Sequence, residues 1–270
     1  MRTPRISASS YSNTAPLIWS FLYGRNRGKV EIILDNAPAR SAELLATERV
    51  DAALVPVFAF QTITDAWLFP GVCIGAREYV RSVCLITKRA EPRDVRTISL
   101  DRSSRTSIAL TKIIFREFLG FEPEWRETDP DIDAMLTESD CALLIGDPAL
   151  QLSMSFDRTD IRVFDLAELW KHHTGHGFVF AMWMTLGKTC PIDFAAARDE
   201  GLGHIDEIIS NYRSELDIAD EDMREYLTGN ISYEIDDSMQ AGLKLFFDLA
   251  QKHRLIQKYK PLKFVQSSAE

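Results

Sequence analysis

The chain has 270 residues, 46% of them apolar, and carries 31 Lys and Arg against 40 Asp and Glu for a net charge of −9. That length corresponds to about two domains, or to one chain folded into two lobes, and the apolar share excludes disordered and fibrous classes. The longest uninterrupted apolar stretch, Phe178 to Met184, is seven residues, far short of the ~18 of a membrane span, so no membrane partner is expected.

The acidic balance argues against a nucleic-acid partner, which needs clustered Lys and Arg to displace phosphate counterions. Charge is also uneven: Asp193 to Asp237 holds 14 acidic and three basic residues, leaving 28 basic and 26 acidic elsewhere. A small anion can therefore be accommodated outside that segment. The N-terminus, MRTPRISASSYSNT, lacks the apolar core of a secretory signal, and a cytoplasmic location is expected.

In chain order, Arg5 to Ala8 reads as a strand, Ser9 to Thr14 as a polar loop, and APLIWSFLYG as a helix with Pro16 in its first turn. Lys29 to Leu34 is strand-like; PARSAELLATERVDAALVP is a helix followed by the strand Ala52 to Val55. Val80 to Lys88 is a long β-like stretch containing the strand Ser82 to Thr87. Thr97 to Leu100 leads through DRSSRTS into a helix ending at Gly120, and Cys141 to Ile145 leads through Gly146-Asp147-Pro148 into ALQLSM. Arg162 to Phe164 and Phe178 to Leu186 follow as β-like segments. From Asp193 the pattern is helical: Phe194 to Leu216, Ile218 to Leu227 and Asp236 to Arg254, their acidic excess forming a solvated outer face. Parallel strands with helical crossovers explain this spacing. The two long β-like stretches suit strands that carry the chain into a second lobe and back, so residues 1–85 plus 186–270 form a discontinuous first lobe and 86–185 an inserted second one, with a cleft between them.

Cys73, Cys84, Cys141 and Cys190 form no CxxC and sit in or beside apolar segments, as reduced core residues do. His172, His173 and His176 form the one metal-like cluster, but Gly175 and Gly177 break a helix there and no Glu lies between them, so a surface loop is expected and no metal site. There is no GxGxxG, Walker loop or GxSxG elbow. Two strand-to-helix loops are rich in hydroxyl and amide donors: Ser9, Ser10, Ser12, Asn13 and Thr14 in the first, and Ser103, Ser104, Thr106 and Ser107 in the second, with Arg102 and Arg105 nearby. They either cap their helices or, at two helix N-termini facing one cleft, hold the carboxylates of a ligand. Asp147 reads as a cap first, and otherwise as a ligand contact or a base. Trp125, Trp170 and Trp183 read as packing residues.

The segment SYSNTAPL resembles the SYxNTxPL signature of the chorismate dehydratases of the futalosine route to menaquinone. The similarity continues in order through AELLATERVDAALVP, CIGAREYVRSVCL, SRTSIALTKII, LLIGDPAL and DLAELWKHHTGHGFVFAMW, covering most of residues 5 to 185. The resemblance implies an α/β, type II periplasmic-binding-protein-like fold with two lobes around a central cleft and a helical C-terminal region. It also implies a cytoplasmic lyase that dehydrates chorismate, a small dicarboxylate, to 3-[(1-carboxyvinyl)oxy]benzoate without a metal or redox cofactor. Carried over by position, Asn13 and Ser82 stand at the reacting centre. Ser10, Tyr11, Thr14, Ser104, Thr106 and Ser107 bind substrate, with Asp147 beside them. Neither Asn13 nor Ser82 is a base near neutral pH, so a carboxylate of the substrate itself is expected to accept the ring proton, with Asp147 as the alternative. The chain differs from the usual family pattern at Val57-Phe58-Ala59-Phe60, an apolar run, and at Gly177, where the family usually has proline; the glycine implies a looser crossing between lobes. A non-catalytic binding protein for small anions, or the related 1,4-dihydroxy-6-naphthoate synthase, would share the fold. No feature sets the oligomeric state.

Overall fold

A computed structural model describes residues 2–88, 91–154 and 160–266. In chain order the strands and helices are β1 (Arg5–Ser9), α1 (Ala15–Leu22), β2 (Glu31–Asp35), α2 (Pro38–Ala46), β3 (Ala52–Pro56), β4 (Trp67–Ala76), β5 (Val83–Thr87), β6 (Thr97–Asp101), α3 (Arg105–Ile113), β7 (Glu124–Thr128), α4 (Ile132–Glu138), β8 (Cys141–Ile145), α5 (Gly146–Met154), β9 (Arg162–Asp165), α6 (Leu166–Thr174), β10 (Phe178–Thr185), α7 (Phe194–Leu202), α8 (Ile205–Leu216), α9 (Asp220–Glu225) and α10 (Asp237–Lys252). They build two five-stranded sheets, ordered β2-β1-β3-β10-β4 and β7-β6-β8-β5-β9, the two-lobed α/β architecture expected.

Both sheets are mixed, where an all-parallel arrangement was expected. β10 enters the first sheet between β3 and β4, antiparallel to both, and β5 enters the second between β8 and β9, also antiparallel to both. The cause is geometric. The C-terminal ends of β1, β3 and β8 open on the space between the sheets, where Ser9, Pro56 and Ile145 line a common cleft. A chain crossing that space reaches each sheet at this end and must run away from it. Sheet membership thus puts β5 with the second lobe and β10 with the first, so the crossings run from β4 to β5 and from α6 to β10, ahead of the 85/86 and 185/186 boundaries read from sequence.

Two strands escaped the sequence reading. β4 contains Pro70-Gly71, which looks like a turn; it survives as a strand because its pairing with β10 shifts register twice. β7 (EWRET) is polar because it is an edge strand, half exposed. The helix expected from Phe194 to Leu216 breaks between α7 and α8 near Gly203, where His204 stacks on Trp19 at 3.7 Å between ring centroids. His172 and His173 lie in the last turn of α6, which ends at Gly175 with φ +75°. His173 stacks on Phe118 at 4.7 Å, and no metal-ligating cluster occurs among the described residues.

The crossing into β10 is tight, not loose. Trp170 and Phe178 are fully buried and meet edge to face at 5.4 Å, with Phe246 of α10 5.1 Å from Phe178. The Gly177 N–H donates to Ser238 Oγ at 3.1 Å, which a proline cannot do, and its carbonyl accepts from Trp170 Nε1 at 3.3 Å. A Cβ on Gly177 would lie 2.7 Å from Met239 Cγ and 2.9 Å from the Ala76 carbonyl. The glycine is therefore a packing requirement, and the expected looseness does not arise. Trp183 is likewise buried in the core, and Trp125 packs against Phe115.

Candidate active site

The cleft between the sheets is narrow, with a cavity volume of about 60 Å³. The first lobe contributes Ser9, Tyr11 and Asn13; the first crossing contributes Val80 and Ser82; the second lobe contributes Ser104, Thr106 and Ser107. Leu54, Ile74, Val83, Ile145 and Phe180 supply apolar wall, and none of the lining residues is charged. Arg102 and Arg105 are exposed and do not line the cleft, so an anion held there meets neutral donors and helix N-termini rather than a guanidinium.

The first loop does not cap α1, as neither end of its short turn makes a side-chain cap. Its polar groups instead form a chain. Ser9 and Thr14 share a hydroxyl hydrogen bond of 2.9 Å, Thr14 Oγ1 donates to Asn13 Oδ1 at 3.4 Å, and Asn13 Nδ2 donates to Ser82 Oγ at 3.4 Å. Ser82 Oγ in turn donates to the Val80 carbonyl at 3.2 Å. This orientation leaves the second Nδ2 hydrogen of Asn13 uncommitted.

Ser82 owes its place to a kinked crossing. Arg81 has φ +61°, a left-handed conformation that costs a non-glycine residue about 1 kcal/mol or more. Asp165 offsets that cost: its Oδ2 accepts from the N–H groups of Val80 (2.9 Å) and Arg81 (2.6 Å), while Oδ1 caps α6 through Ala167 and Glu168. The Ser82 carbonyl accepts from Gly146 N–H at 2.8 Å. Gly146 itself has φ +69°, and a Cβ there would lie 2.6 Å from the Tyr11 ring; Tyr11 thus needs the glycine. Burial and nearby carboxylates, Asp101 first, push the Tyr11 phenol up to about 12, keeping it a proton donor.

In the second loop, Ser104 caps α3 by accepting from Ser107 N–H at 3.4 Å, so capping and cleft lining are both realised there. Thr106 Oγ1 accepts from Phe58 N–H at 3.1 Å, which ties the apolar Val57–Phe60 turn of the first lobe to α3 and turns the Thr106 proton free for a ligand.

Of the residues singled out from sequence, Tyr11, Asn13, Ser82, Ser104, Thr106 and Ser107 come together around the cleft. Of those given a role at the site, three do not line it. Ser10 Oγ turns to Asn36 Oδ1 at 2.7 Å, Thr14 is fully buried behind Asn13, and Asp147 reaches across to the first lobe. The Asp147 carboxylate does not cap α5; both oxygens accept from Ser12 N–H at 3.1 Å and Oδ1 accepts from Ser12 Oγ at 2.5 Å. Burial outweighs these bonds and holds the carboxyl above the ordinary range. The sequence reading missed Tyr226, whose fully buried hydroxyl abuts Asn13 and Ser82, because it comes from the C-terminal helical region, which carries no motif.

Known proteins agree with this architecture. A chorismate dehydratase from Thermus thermophilus is 29% identical over 265 residues, covering 91% of this chain and 94% of that protein. A protein of known structure from Archaeoglobus fulgidus superposes with a TM-score of 0.71 at 15% identity, over 94% of this chain and 98% of its own. A Candida albicans protein with the generic periplasmic-binding-protein fold superposes with a TM-score of 0.67 at 13% identity, over 100% and 99%; at such identities these two likenesses establish the fold alone. The profile of the menaquinone biosynthesis family matches residues 4–252, nearly the whole chain, and the chain belongs to that family.

Proposed function

We propose that this protein is a chorismate dehydratase, a hydro-lyase that converts chorismate to 3-[(1-carboxyvinyl)oxy]benzoate and water on the futalosine route to menaquinone. The observation that carries the reading is the Asn13–Ser82 pair, hydrogen-bonded at 3.4 Å in a cleft of neutral donors between the lobes, in a chain whose curated relative is a chorismate dehydratase. Chorismate loses a ring proton and the ring hydroxyl, and the electron pair left by the proton completes the aromatic ring as the carbon–oxygen bond breaks. Because aromatisation drives the reaction downhill, the protein has chiefly to orient the substrate and support the departing hydroxide.

In this reading Asn13 Nδ2 and the Ser82 hydroxyl donate to the leaving oxygen, Ser82 exchanging its bond to the Val80 carbonyl for one to substrate. Ser104, Thr106, Ser107 and the N-terminus of α3 hold a carboxylate on the second lobe, and Tyr11 one on the first. Asp147 is a poor base here, since its oxygens are turned to Ser12 and away from the cleft. A substrate carboxylate therefore takes the ring proton and passes it to the hydroxide, and one water leaves. A cytoplasmic site of action suits the four unpaired cysteines; separately, no described helix is long and apolar enough to cross a membrane.

Incubation with chorismate, followed by chromatography with mass detection, should yield an aromatic product lighter by one water. Asn13→Ala and Ser82→Ala should each abolish it. Chorismate that raises the melting temperature but stays intact would instead make this a binding protein, and neither a shift nor a product would remove chorismate as the ligand.

A further inference from the structure

Each sheet ends in two edge strands, whose outer backbone N–H and carbonyl groups can pair with a further strand. Three of the four edges are guarded. β4 is covered by the chain itself: Leu68 N–H donates to the Lys263 carbonyl and Val265 N–H to the Leu68 carbonyl, both at 2.8 Å, and Gly75 exchanges bonds with Ser232. β7 is charged, with Glu124, Arg126 and Glu127 among its five residues. β9 spans only four residues, and its Arg162 guanidinium lies over the Phe164 ring at 5.9 Å. β2 has no such guard. It reads EIILD, with Ile33 38% and Leu34 40% exposed. Together with Tyr23, which shares a surface hollow with Leu34, they are three of the five large exposed apolar side chains among the described residues.

The bonds that β2 makes inward fix which of its groups point outward. β2 runs parallel to β1, Glu31 N–H donates to the Pro4 carbonyl, and Ser10 N–H donates to the Asp35 carbonyl. Odd-numbered residues therefore turn their backbone groups to β1, and Ile32 and Leu34 turn theirs away from the sheet. A second copy of β2, laid antiparallel about a two-fold axis, meets those outward groups with the same set of its own. Charge then selects the register. Centred on Glu31, the two glutamates face each other; centred on Ile33, each Glu31 faces the partner's Asp35; both arrangements set like charges opposite. Centred on Ile32, exposed Lys29 faces the partner's Asp35 at both ends of the pairing. Asp35 Oδ1 accepts from Ala37 N–H at 2.9 Å, and its Oδ2 is left for the lysine. In the same register Val30, Ile32 and Leu34 of both copies form one apolar row.

We propose that β2 is a homodimer interface: two copies of the chain pair their β2 strands antiparallel, centred on Ile32, and join the two first-lobe sheets into one continuous sheet. The contact is two-fold and uses the apolar edge of each copy, so the assembly closes at two chains. Nothing in this inference depends on the reaction that the cleft performs.

The test follows the mass of the whole chain in solution by sedimentation velocity across a concentration series. Twice the mass of one chain is expected, and a parent that stays monomeric throughout overturns the proposal. Ile32→Pro deletes an outward donor while leaving the bonds to β1 intact, and it should be monomeric where the parent is dimeric. Lys29→Asp changes an exposed residue outside the core; it should raise the dimer dissociation constant about tenfold, and Lys29→Asp/Asp35→Lys should restore it. A dimer indifferent to these substitutions overturns the proposal. Cross-linking reads the register. Facing Ile32 Cα atoms in a hydrogen-bonded pair stand about 5.5 Å apart, within disulfide reach. Ile32→Cys should therefore give a disulfide-linked dimer on mild oxidation, and Ile33→Cys, which faces the partner's Glu31, should not. A disulfide in Ile33→Cys, or none in Ile32→Cys, overturns the pairing. Because no readout uses chorismate, failure of the dehydratase reading would leave these outcomes unchanged.

Discussion

Asp147 spans the cleft from α5 to Ser12, and replacing it separates two roles that its position in GDPAL leaves open. In Asp147→Ala, the N–H and the hydroxyl of Ser12, a residue with no exposure, lose the carboxylate that accepts from both. Each orphaned group costs about 1–3 kcal/mol, partly offset because a carboxylate held above its ordinary range by burial is no longer there. A net loss of about 2 kcal/mol is expected, which at ~2–4 °C per kcal/mol for a chain of this size lowers the melting temperature by about 4–8 °C. The neighbouring Asn13 loses its rigid turn, and kcat should fall about tenfold. Asp147→Asn keeps an acceptor for Ser12 N–H and a group to meet Ser12 Oγ, so it should retain most of the activity. The pH dependence has a definite sign. The folded pKa lies above the unfolded value near 4, so the native state is favoured below that value and loses this contribution as pH rises through the raised pKa. Asp147→Asn should therefore show a shallower decline of melting temperature over that window. Steady-state kinetics and scanning calorimetry from pH 4 to 8 make the check, and abolished turnover in Asp147→Asn with chorismate binding intact would refute the clasp and make Asp147 the base.

Gly177→Pro should lower the melting temperature by several degrees by thermal-shift assay, because it removes the bond to Ser238 and overpacks Met239, at about 1–3 kcal/mol for the overpacking; a rise would show that chain stiffening dominates. Thr106→Val removes the acceptor of Phe58 N–H and should cut kcat/KM about tenfold, with Thr106→Ser close to the parent, whereas equal losses in both would point to the methyl group. Cys73, Cys84 and Cys141 are fully buried thiols pushed upward by desolvation, Cys141 to about 12; Cys190 is also raised by burial but is only partly buried. Iodoacetamide at pH 8 should accordingly label Cys190 first by mass spectrometry, and equal labelling of all four would mean that the native cores open readily.

Much of the fold is legible in local sequence because most elements are internally consistent: CALLI is a buried strand on both faces, and IALTKII carries a helical period behind its Ser104 cap. β4 was illegible because its Pro70-Gly71 bulge is tolerated only by the register shifts of its partner β10, a residue range more than 100 positions away. Of the site, the loop residues with donors were legible and the wall was not, since Leu54, Ile74 and Phe180 look like any core residues until two lobes face each other.

By itself, then, the sequence determined the α/β class, the order of most elements, the two donor-rich loops and, through its ordered motifs, the expected chemistry, because these depend on periodicity, turn residues and side-chain type within short segments. The tertiary structure decided what each donor is aimed at. It sends Asp147 to Ser12, Ser10 to Asn36 and Thr14 to the back of Asn13, and it brings Tyr226 from the C-terminal helices against the Asn13–Ser82 pair. Those assignments depend on hydrogen-bond partners separated by up to 135 residues and on burial that removes competing water, neither of which leaves a mark in the local sequence.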